Sequence, residues 1–163
     1  MSDKLTRQEA QEQTDLMAKR LAMLYKAFAE TAVEELGEED AKDFILKAIE
    51  SFGGLCGSRV RQEVEKLGKD LTISNYSSVP DLPWLSWEFD SEVIETDREV
   101  IVDINRCPLA EYWADHMDPE LARLYCQVDK AKYKAYNDKI QCGHTKNYLD
   151  GDDKCQLHVQ CKD

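Results

Sequence analysis

The spacing of apolar residues changes once along this chain of 163 residues, and the change limits the folds open to it. Up to residue 68, apolar residues recur at steps of three and four, which is the period of an amphipathic α-helix. Beyond residue 85, short runs alternate between apolar and polar residues, as β-strands with one buried face do. The pattern predicts a helical first part and a second part that carries a sheet.

Two long helices are predicted in the first part. The first covers residues 5 to about 36 and is ended by Gly37, and the second covers residues 41 to about 68. The apolar stripe of the first helix consists of Met17, Leu21, Leu24, Phe28 and Ala32.

The second helix carries three glycines, Gly53, Gly54 and Gly57. Each costs about 1 kcal/mol relative to alanine inside a helix. We therefore expect something to approach this backbone closely. Another helix or the sheet would explain the glycines, and so would a ligand bound beside Arg59.

The second part follows a loop over residues 69–86, which contains two prolines and many small polar residues. Loops of this length often act as lids. Alternating residues then predict strands over 87–90 and 100–105, joined by a turn at Thr96-Asp97-Arg98. These two strands form a β-hairpin.

A third helix and a second hairpin complete the predicted elements. Asp118 and Pro119 are typical of a helix start, with the carboxylate at the N-cap and proline in the first helical position. Two strand-like runs, 139–149 and 154–161, flank Asp150-Gly151-Asp152-Asp153, a turn sequence.

This order of elements predicts an α+β fold: two N-terminal helices, a β-hairpin, a helix and a β-hairpin, with helices packed on a four-stranded antiparallel sheet. The length suits one domain over residues 1–163, with a helical part at 5–68 and a motif-bearing part at 85–161. No apolar run is long enough to span a membrane, and the polar N-terminus lacks the apolar core of a secretory signal. We expect a cytoplasmic protein.

The formal net charge of -12 argues against two classes of partner. Nucleic-acid binding depends on Lys and Arg that displace counterions from phosphates, and anionic membranes repel an acidic surface in the same way. We expect neither nucleic acid nor membrane as a partner, and a small-molecule substrate instead.

The six cysteines are interpreted as thiols, because a chain of this size without a secretory signal does not need disulfides. Cys107 ends a predicted strand beside Arg106, which favours a reactive thiolate, although a buried structural thiol fits equally well. Cys126 and Asp129 lie one helical turn apart and share a face. Asp129 could be a general base, an orienter of a histidine, or a solvated surface acid.

His144 lies in the last predicted hairpin, where strict alternation puts Lys146 on the same inward face and Thr145 and Asn147 on the other. Burying both His144 and Lys146 without a purpose is costly, so either the strand faces a cavity or the alternation slips. Cys155 and Cys161 alternate on the core face and are interpreted mainly as packing residues.

No cofactor is predicted. Zinc deserves consideration because Cys, His and Asp are its ligands, but no C-x-x-C pair is present and the nearest thiol and imidazole are Cys142 and His144. A divalent metal therefore stays open as the less favoured alternative. Phosphate-binding glycine loops, H-E-x-x-H and G-x-S-x-G are all absent, which argues against nucleotide-dependent enzymes, zincins and serine hydrolases.

Four short motifs follow one another over residues 85–161: Asn105-x-Cys107-Pro108, Leu124-Tyr125-Cys126-x-x-Asp129, His144-Thr145-Lys146 and Gly151-Asp152-x-x-Cys155. In this order they resemble the motifs of the L-2-amino-thiazoline-4-carboxylic acid hydrolase family. That family is distantly similar to 4-vinyl reductase domains and to Bet3-type transport-particle subunits, whose helices pack on a small antiparallel sheet.

The resemblance implies hydrolysis of a small cyclic amidine-like compound, in which a 2-amino-thiazoline ring opens to a carbamoyl cysteine. Cys107 or Cys126 would attack the ring carbon or hold a water there, while Asp129 and His144 would move protons. Lys146 or Arg59 would pair with the substrate carboxylate. The predicted substrate-binding residues are Arg59, Asn105, Thr145, Lys146 and Asn147.

Two other classes stay open on the same resemblance. A small-molecule-binding or sensory module would use the cavity without turnover, as 4-vinyl reductase-like relatives do. A scaffold would form a homodimer through its helices, as the transport-particle relatives do. A closed polar cavity with thiol, imidazole and carboxylate together favours the enzyme.

Overall fold

The computed structural model describes residues 4–92 and 98–162, with the side chains of residues 91 and 92 excepted. In this part of the chain it contains six α-helices, one 3₁₀ turn and four β-strands. In chain order these are α1 (Arg7–Leu36), α2 (Glu38–Lys66), α3 (Ile73–Tyr76), β1 (Glu88–Glu92), β2 (Glu99–Arg106), α4 (Pro108–His116), α5 (Pro119–Tyr125), α6 (Gln127–Tyr136), β3 (Ile140–Lys146), the 3₁₀ turn (Tyr148–Asp150) and β4 (Cys155–Cys161). The predicted α+β class is confirmed. No helix in the described ranges is both long and apolar enough to cross a membrane.

The two N-terminal helices form where the sequence predicts them. Helix α1 begins with a capping box, in which Thr6 and Glu9 satisfy each other's backbone N–H groups. Gly37, with φ of +79°, separates it from α2 and adopts a conformation that favours glycine.

The buried face of α1 is not the stripe of large apolar residues. Small side chains and one tyrosine are buried instead: Ala18, Ala22, Tyr25, Ala29 and Ala32. Met17, Leu24 and Phe28 are more than half exposed. The alanines let α4 approach closely, since the Trp113 indole N–H donates to the Ala22 carbonyl at 3.0 Å.

Helix α6 crosses α2 at the glycines, so the helix–helix explanation of Gly53 and Gly57 is confirmed. A Cβ atom on Gly53 would lie 2.6 Å from the Ala131 Cβ, and one on Gly57 would lie 2.1 Å from the Lys132 carbonyl oxygen. A Cβ on Gly54 would meet nothing within 4 Å. The two glycines are therefore needed for backbone contact between α2 and α6.

The third predicted helix is two helices. It begins at Asp118, whose side chain accepts a hydrogen bond from the Leu121 N–H, as expected. The chain then breaks at Cys126, so that α5 ends at Tyr125 and α6 starts at Gln127. Helix α4 was not predicted, because Pro108 looked like the end of a strand, whereas it occupies the first turn of a helix.

The four strands form one antiparallel sheet in the order β1-β2-β4-β3. Both predicted hairpins are present, but residues 93–97, which include most of the predicted Thr96-Asp97-Arg98 turn, lie outside the described residues. One face of the sheet packs into the core through residues such as Leu157 and Val159. The opposite face carries polar side chains such as Gln156 and Gln160.

Two apolar clusters support the site described next. The first joins α1, α4 and α5 and contains Trp113, and the second joins α2, α6 and the sheet and contains Tyr136. Ile104 on β2 packs against both.

Candidate functional site

The two clusters meet near the C-terminal ends of β2, α5 and β3. Several polar side chains lie at this place. Cys107 lies between β2 and α4, Cys126 occupies the break between α5 and α6, and Cys155 starts β4. Cys126 and Cys155 contact consecutive residues, since Asn147 Nδ2 lies 3.5 Å from Cys126 Sγ and the Tyr148 N–H donates to Cys155 Sγ at 3.4 Å. The structure thus brings two thiols together, and the third, Cys107, packs against the first cluster.

A β-bulge decides which polar residue faces these thiols. The register between β3 and β4 shifts between His144 and Lys146, so the alternation slips by one residue. Lys146 therefore turns outward and pairs with Asp153 at 3.2 Å. Asn147 turns inward and is 1% exposed.

Asn147 is held firmly against Cys126. Its backbone N–H donates to Asp152 Oδ2 at 2.7 Å, and its Oδ1 accepts the Leu149 N–H at 3.0 Å. Its Nδ2 is then directed at Cys126 Sγ, at 3.5 Å. An amide donor fixed in this way stabilises negative charge on the sulfur.

The thiols are nevertheless protonated at neutral pH. Burial raises the pKa of Cys107 to about 11 and that of Cys126 to about 12. The Asn147 hydrogen bond acts in the opposite direction on Cys126. A reaction through either sulfur therefore needs a base at the moment of attack.

His144 and Asp129 provide a base and its carboxylate partner. His144 Nε2 lies 3.6 Å from Asp129 Oδ2. Burial lowers the pKa of His144 below its usual value of 6.5, and the Asp129 charge only partly opposes this. The imidazole is consequently neutral at pH 7 and able to accept a proton.

Lys132 shares its charge between two carboxylates. Its Nζ lies 3.0 Å from Asp129 Oδ1 and 2.7 Å from Asp81 Oδ2, and the residue is 7% exposed. Burial disfavours the ammonium, yet Asp129 and Asp81 together raise the pKa of Lys132 well above its usual value. Tyr76 also donates to Asp81, at 3.0 Å.

A small cavity of about 270 Å³ opens beside these groups, lined by Arg123, Cys126, Gln127, Lys130, Cys142, Gly143 and His144. Arg123 Nε bonds to both carboxylate oxygens of Asp150, at 3.0 and 3.2 Å. Its Nη1 is buried without a hydrogen-bond partner among the described residues. A guanidinium N–H in this state can donate a hydrogen bond to the carboxylate of a ligand.

Four of the predicted site residues lie away from this cavity. Arg59 bonds to the Pro80 carbonyl at 2.7 Å, Asn105 is exposed and donates to Asp90, and Thr145 is exposed and bonds to Gln156. Lys146 points outward as described. Cys126 and His144 line the cavity, and Asn147 and Asp129 contact them, while Cys107 packs against the first apolar cluster.

Sequence reasoning missed Arg123 and Lys132. Arg123 lies three residues before Cys126 and Lys132 three residues after Asp129, so the helical period that paired Cys126 with Asp129 could have included both. No group of three or more His, Cys, Asp or Glu side chains suited to a metal ion occurs in residues 4–92 and 98–162.

The fold is similar to that of a solved trafficking-complex subunit. A trafficking protein particle complex subunit 3 from Naegleria fowleri, covalently bound to palmitic acid, superposes with a TM-score of 0.58 at 18% identity. The match covers 91% of this chain and 96% of that one. The expected similarity to Bet3-type subunits is thereby confirmed for the fold. The search of curated proteins found no match.

The sequence defines the family more narrowly. The model of the L-2-amino-thiazoline-4-carboxylic acid hydrolase family matches residues 17–159. The chain belongs to this family, as its motifs predicted.

Proposed function

We propose that the protein hydrolyses a small cyclic amidine-like carboxylate of the 2-amino-thiazoline type, with Cys126 as nucleophile and His144 as base. One observation carries the proposal: Cys126, His144 and Arg123 line the same small cavity, with Asp129 behind the imidazole. The Nη1 of Arg123 is buried and has no hydrogen-bond partner among the described residues. The family's name points to the same substrate class.

In the first half of the reaction, His144 takes the proton of the Cys126 thiol as the sulfur attacks the ring carbon between nitrogen and sulfur. The bond from this carbon to the ring sulfur then breaks, and the proton on His144 moves to the departing sulfur. The product of this step is an isothiourea that joins the opened substrate to Cys126. Asn147 lowers the cost of charge on Cys126 through its N–H donor.

In the second half, water adds to the same carbon while His144 accepts one of its protons. The Cys126 sulfur leaves and receives that proton, the second water proton moves to the nitrogen of the C=N bond, and the carbon becomes the carbonyl of a carbamoyl cysteine. The sum is one water consumed for one ring opened. Asp129 stabilises the imidazolium that forms in each half.

Arg123 is proposed to bind the substrate carboxylate in place of Lys146 and Arg59, which pair elsewhere. A charge-assisted bond of this kind contributes about 1.5–3 kcal/mol. Arg123→Gln should therefore raise KM about tenfold or more while kcat changes less. Arg61→Gln, which removes an exposed arginine paired with Glu65 on α2, is the matched control.

The direct test is a turnover assay with 2-amino-thiazoline-4-carboxylate on purified protein, with and without a divalent metal. We expect Cys126→Ser and His144→Gln each to lower kcat/KM at least about a hundredfold. Cys161→Ala, which removes a thiol at the far end of β4, should leave it unchanged. Circular dichroism checks that each variant is folded. Undiminished turnover in both site variants would falsify the mechanism.

The alternative function is binding without turnover, which the palmitate-bound structural relative favours. Mass spectrometry of the purified protein, together with a screen of cyclic amidines and fatty acids by thermal shift, separates the two. A bound acyl chain and no ring opening would support the binding module.

A further inference from the structure

A second cavity continues from the first along the outer edge of the sheet. It measures about 440 Å³ and shares Lys130, Cys142, Gly143 and His144 with the smaller one. Its floor is β3, which is an edge strand because the sheet runs in the order β1-β2-β4-β3. The groove therefore follows an open strand edge, which is a surface able to pair with another extended chain.

The backbone groups that point into this groove follow from the neighbouring hydrogen bonds. The Lys162 N–H donates to the Lys139 carbonyl at 2.7 Å, toward β3, while the Cys161 N–H donates to the Arg98 carbonyl at 2.8 Å, toward β2. Hydrogen-bonded pairs alternate in an antiparallel ladder. Gly143, opposite His158, thus bonds to β4.

The same alternation directs the N–H and C=O groups of Cys142 and His144 away from β4. No residue of the described ranges bonds to these four groups. They are spaced two residues apart, which is the repeat that an added strand needs. Gly143 between them has no side chain to obstruct a neighbour, and a Cβ there would meet nothing within 4 Å.

The groove is also basic, in a chain whose net charge is -12. Lys130 and Lys134 line it from α6, and Lys162 lines it from the end of β4. None of the three has an ion-pair partner among residues 4–92 and 98–162, whereas lysines elsewhere, such as Lys26 and Lys42, are paired.

The other charged groups at the groove do not cancel these lysines. Asp138 is the acidic residue that lines it. His158, on the open face, is held by Glu99 of β2. Three lysines thus face one carboxylate there, which favours an anionic occupant by charge complementarity.

We propose that the edge of β3, flanked by Lys130, Lys134 and Lys162, binds an extended acidic peptide by strand addition. Its backbone pairs with Cys142 and His144, and its carboxylates lie against the lysines. A small anion would pair with the lysines but would form no backbone hydrogen bonds with the edge of β3. Because the peptide covers the mouth of the smaller cavity, it excludes solvent from His144. The binding does not depend on hydrolysis.

The test uses the full chain and acetylated, amidated hexaglutamate, followed by calorimetry and by amide chemical shifts. We expect saturable binding, with the largest shifts at the Cys142 and His144 amides. The same peptide N-methylated at every residue keeps its charge but has no N–H to donate to the strand edge, so it should bind at least about tenfold more weakly. Citrate serves as the small-anion probe.

Lys130→Gln with Lys134→Gln should weaken hexaglutamate binding about two- to thirtyfold, which corresponds to about 0.2–1 kcal/mol for each of the two exposed charge pairs. The matched control is Lys19→Gln with Lys47→Gln, which changes the net charge equally on exposed faces of α1 and α2 and should leave binding unchanged. Equal affinity for the N-methylated peptide, equal effects of the two double variants, or no saturable binding would each overturn the proposal. Because binding is measured without substrate, a lack of turnover leaves this result unaffected.

Discussion

At the scale of single residues, the site holds two carboxylates, one ammonium and one neutral imidazole in a largely buried space. Asp81 and Asp129 are both largely buried and both contact Lys132, while His144 is kept neutral. If Lys132 were absent, His144 would be the one remaining partner of Asp129 among the described residues, and the Asp129 charge would draw a proton onto the imidazole. The lysine thereby helps to keep the His144 imidazole neutral, as the proposed mechanism requires.

Replacing Lys132 by methionine should be strongly destabilising, because it removes the ammonium closest to two buried carboxylates and leaves Asp81 with the more distant Arg59 guanidinium, at 3.8 Å. We expect a loss of about 3 kcal/mol or more in the free energy of unfolding, measured with urea. Lys134→Met, on an exposed position of the same helix without a partner among the described residues, should change it by no more than about 0.5 kcal/mol. Equal stabilities of the two variants would show that the Lys132 ion pairs contribute little.

The activity of the proposed hydrolase should depend on pH through His144. A base must be unprotonated, so kcat/KM should rise with pH through an inflection below 6.5 and then stay level until the thiols begin to ionise. Asp129→Asn should move the inflection lower, because the carboxylate raises the pKa of His144. The check is a pH–rate profile of both proteins. An inflection above 6.5 in the parent would contradict the assignment.

At the scale of elements, the sequence predicted α1, α2, both hairpins and the glycine contact well, because each follows from a local period or a local backbone cost. It allowed a slip of the alternation at His144 and Lys146 as one of two alternatives, but it did not locate the bulge at Thr145, since nothing in residues 140–148 marks where the alternation slips. Lys146 was therefore placed inward and Asn147 outward, the reverse of the observed arrangement. The break at Cys126 is similar, because the apolar period runs through it unchanged.

The crossing of α2 and α6 gives a sharp prediction. Gly57→Ala would bring a Cβ to 2.1 Å from a backbone oxygen of α6, so the helices must separate. We expect a net loss of about 2 kcal/mol, since the strain exceeds the gain in helix propensity. Gly54→Ala, in open space three residues earlier, should instead stabilise by about 0.5–1 kcal/mol. Chemical unfolding of both variants measures the difference, and the same sign for both would refute it.

At the scale of the whole molecule, the candidate site lies where the two apolar clusters adjoin. Cys107 packs against the first cluster, and Cys142 belongs to the second. Such a location could be inferred from the sequence only in part, because residues 107, 126 and 144 come together through a sheet order, β1-β2-β4-β3, that periodicity does not specify. The motifs of the family supplied that grouping.

The free energy of unfolding should depend on pH through the buried His144. The folded-state pKa of His144 lies below 6.5, so between that pKa and 6.5 the unfolded chain binds more protons than the folded one. Stability should be constant above this window and fall as the pH drops through it, by at most about 1.4 kcal/mol per pH unit.

His144→Gln should remove this dependence of the free energy of unfolding on pH below 6.5. Above pH 6.5 the variant, like the parent, should have a stability that does not change with pH. Asp103 and Asp153, whose pKa values are lowered by Lys154 and Lys146, contribute stability that is lost only below about pH 4. The two effects are therefore separate in an unfolding titration. A parent protein as stable at pH 5 as at pH 7 would contradict the interpretation.

The close crossing at Gly53 and Gly57 also has a consequence for exchange with solvent. The backbone of Lys132 in α6 is pressed against Gly53 and Gly57 of α2, so the Lys132 amide cannot meet water unless the two helices part. In a native-state hydrogen–deuterium exchange measurement it belongs with the slowest amides, released only by global opening. Asp129 lies one helical turn before this protected amide, while the edge of β3 that it faces through His144 stays open to exchange.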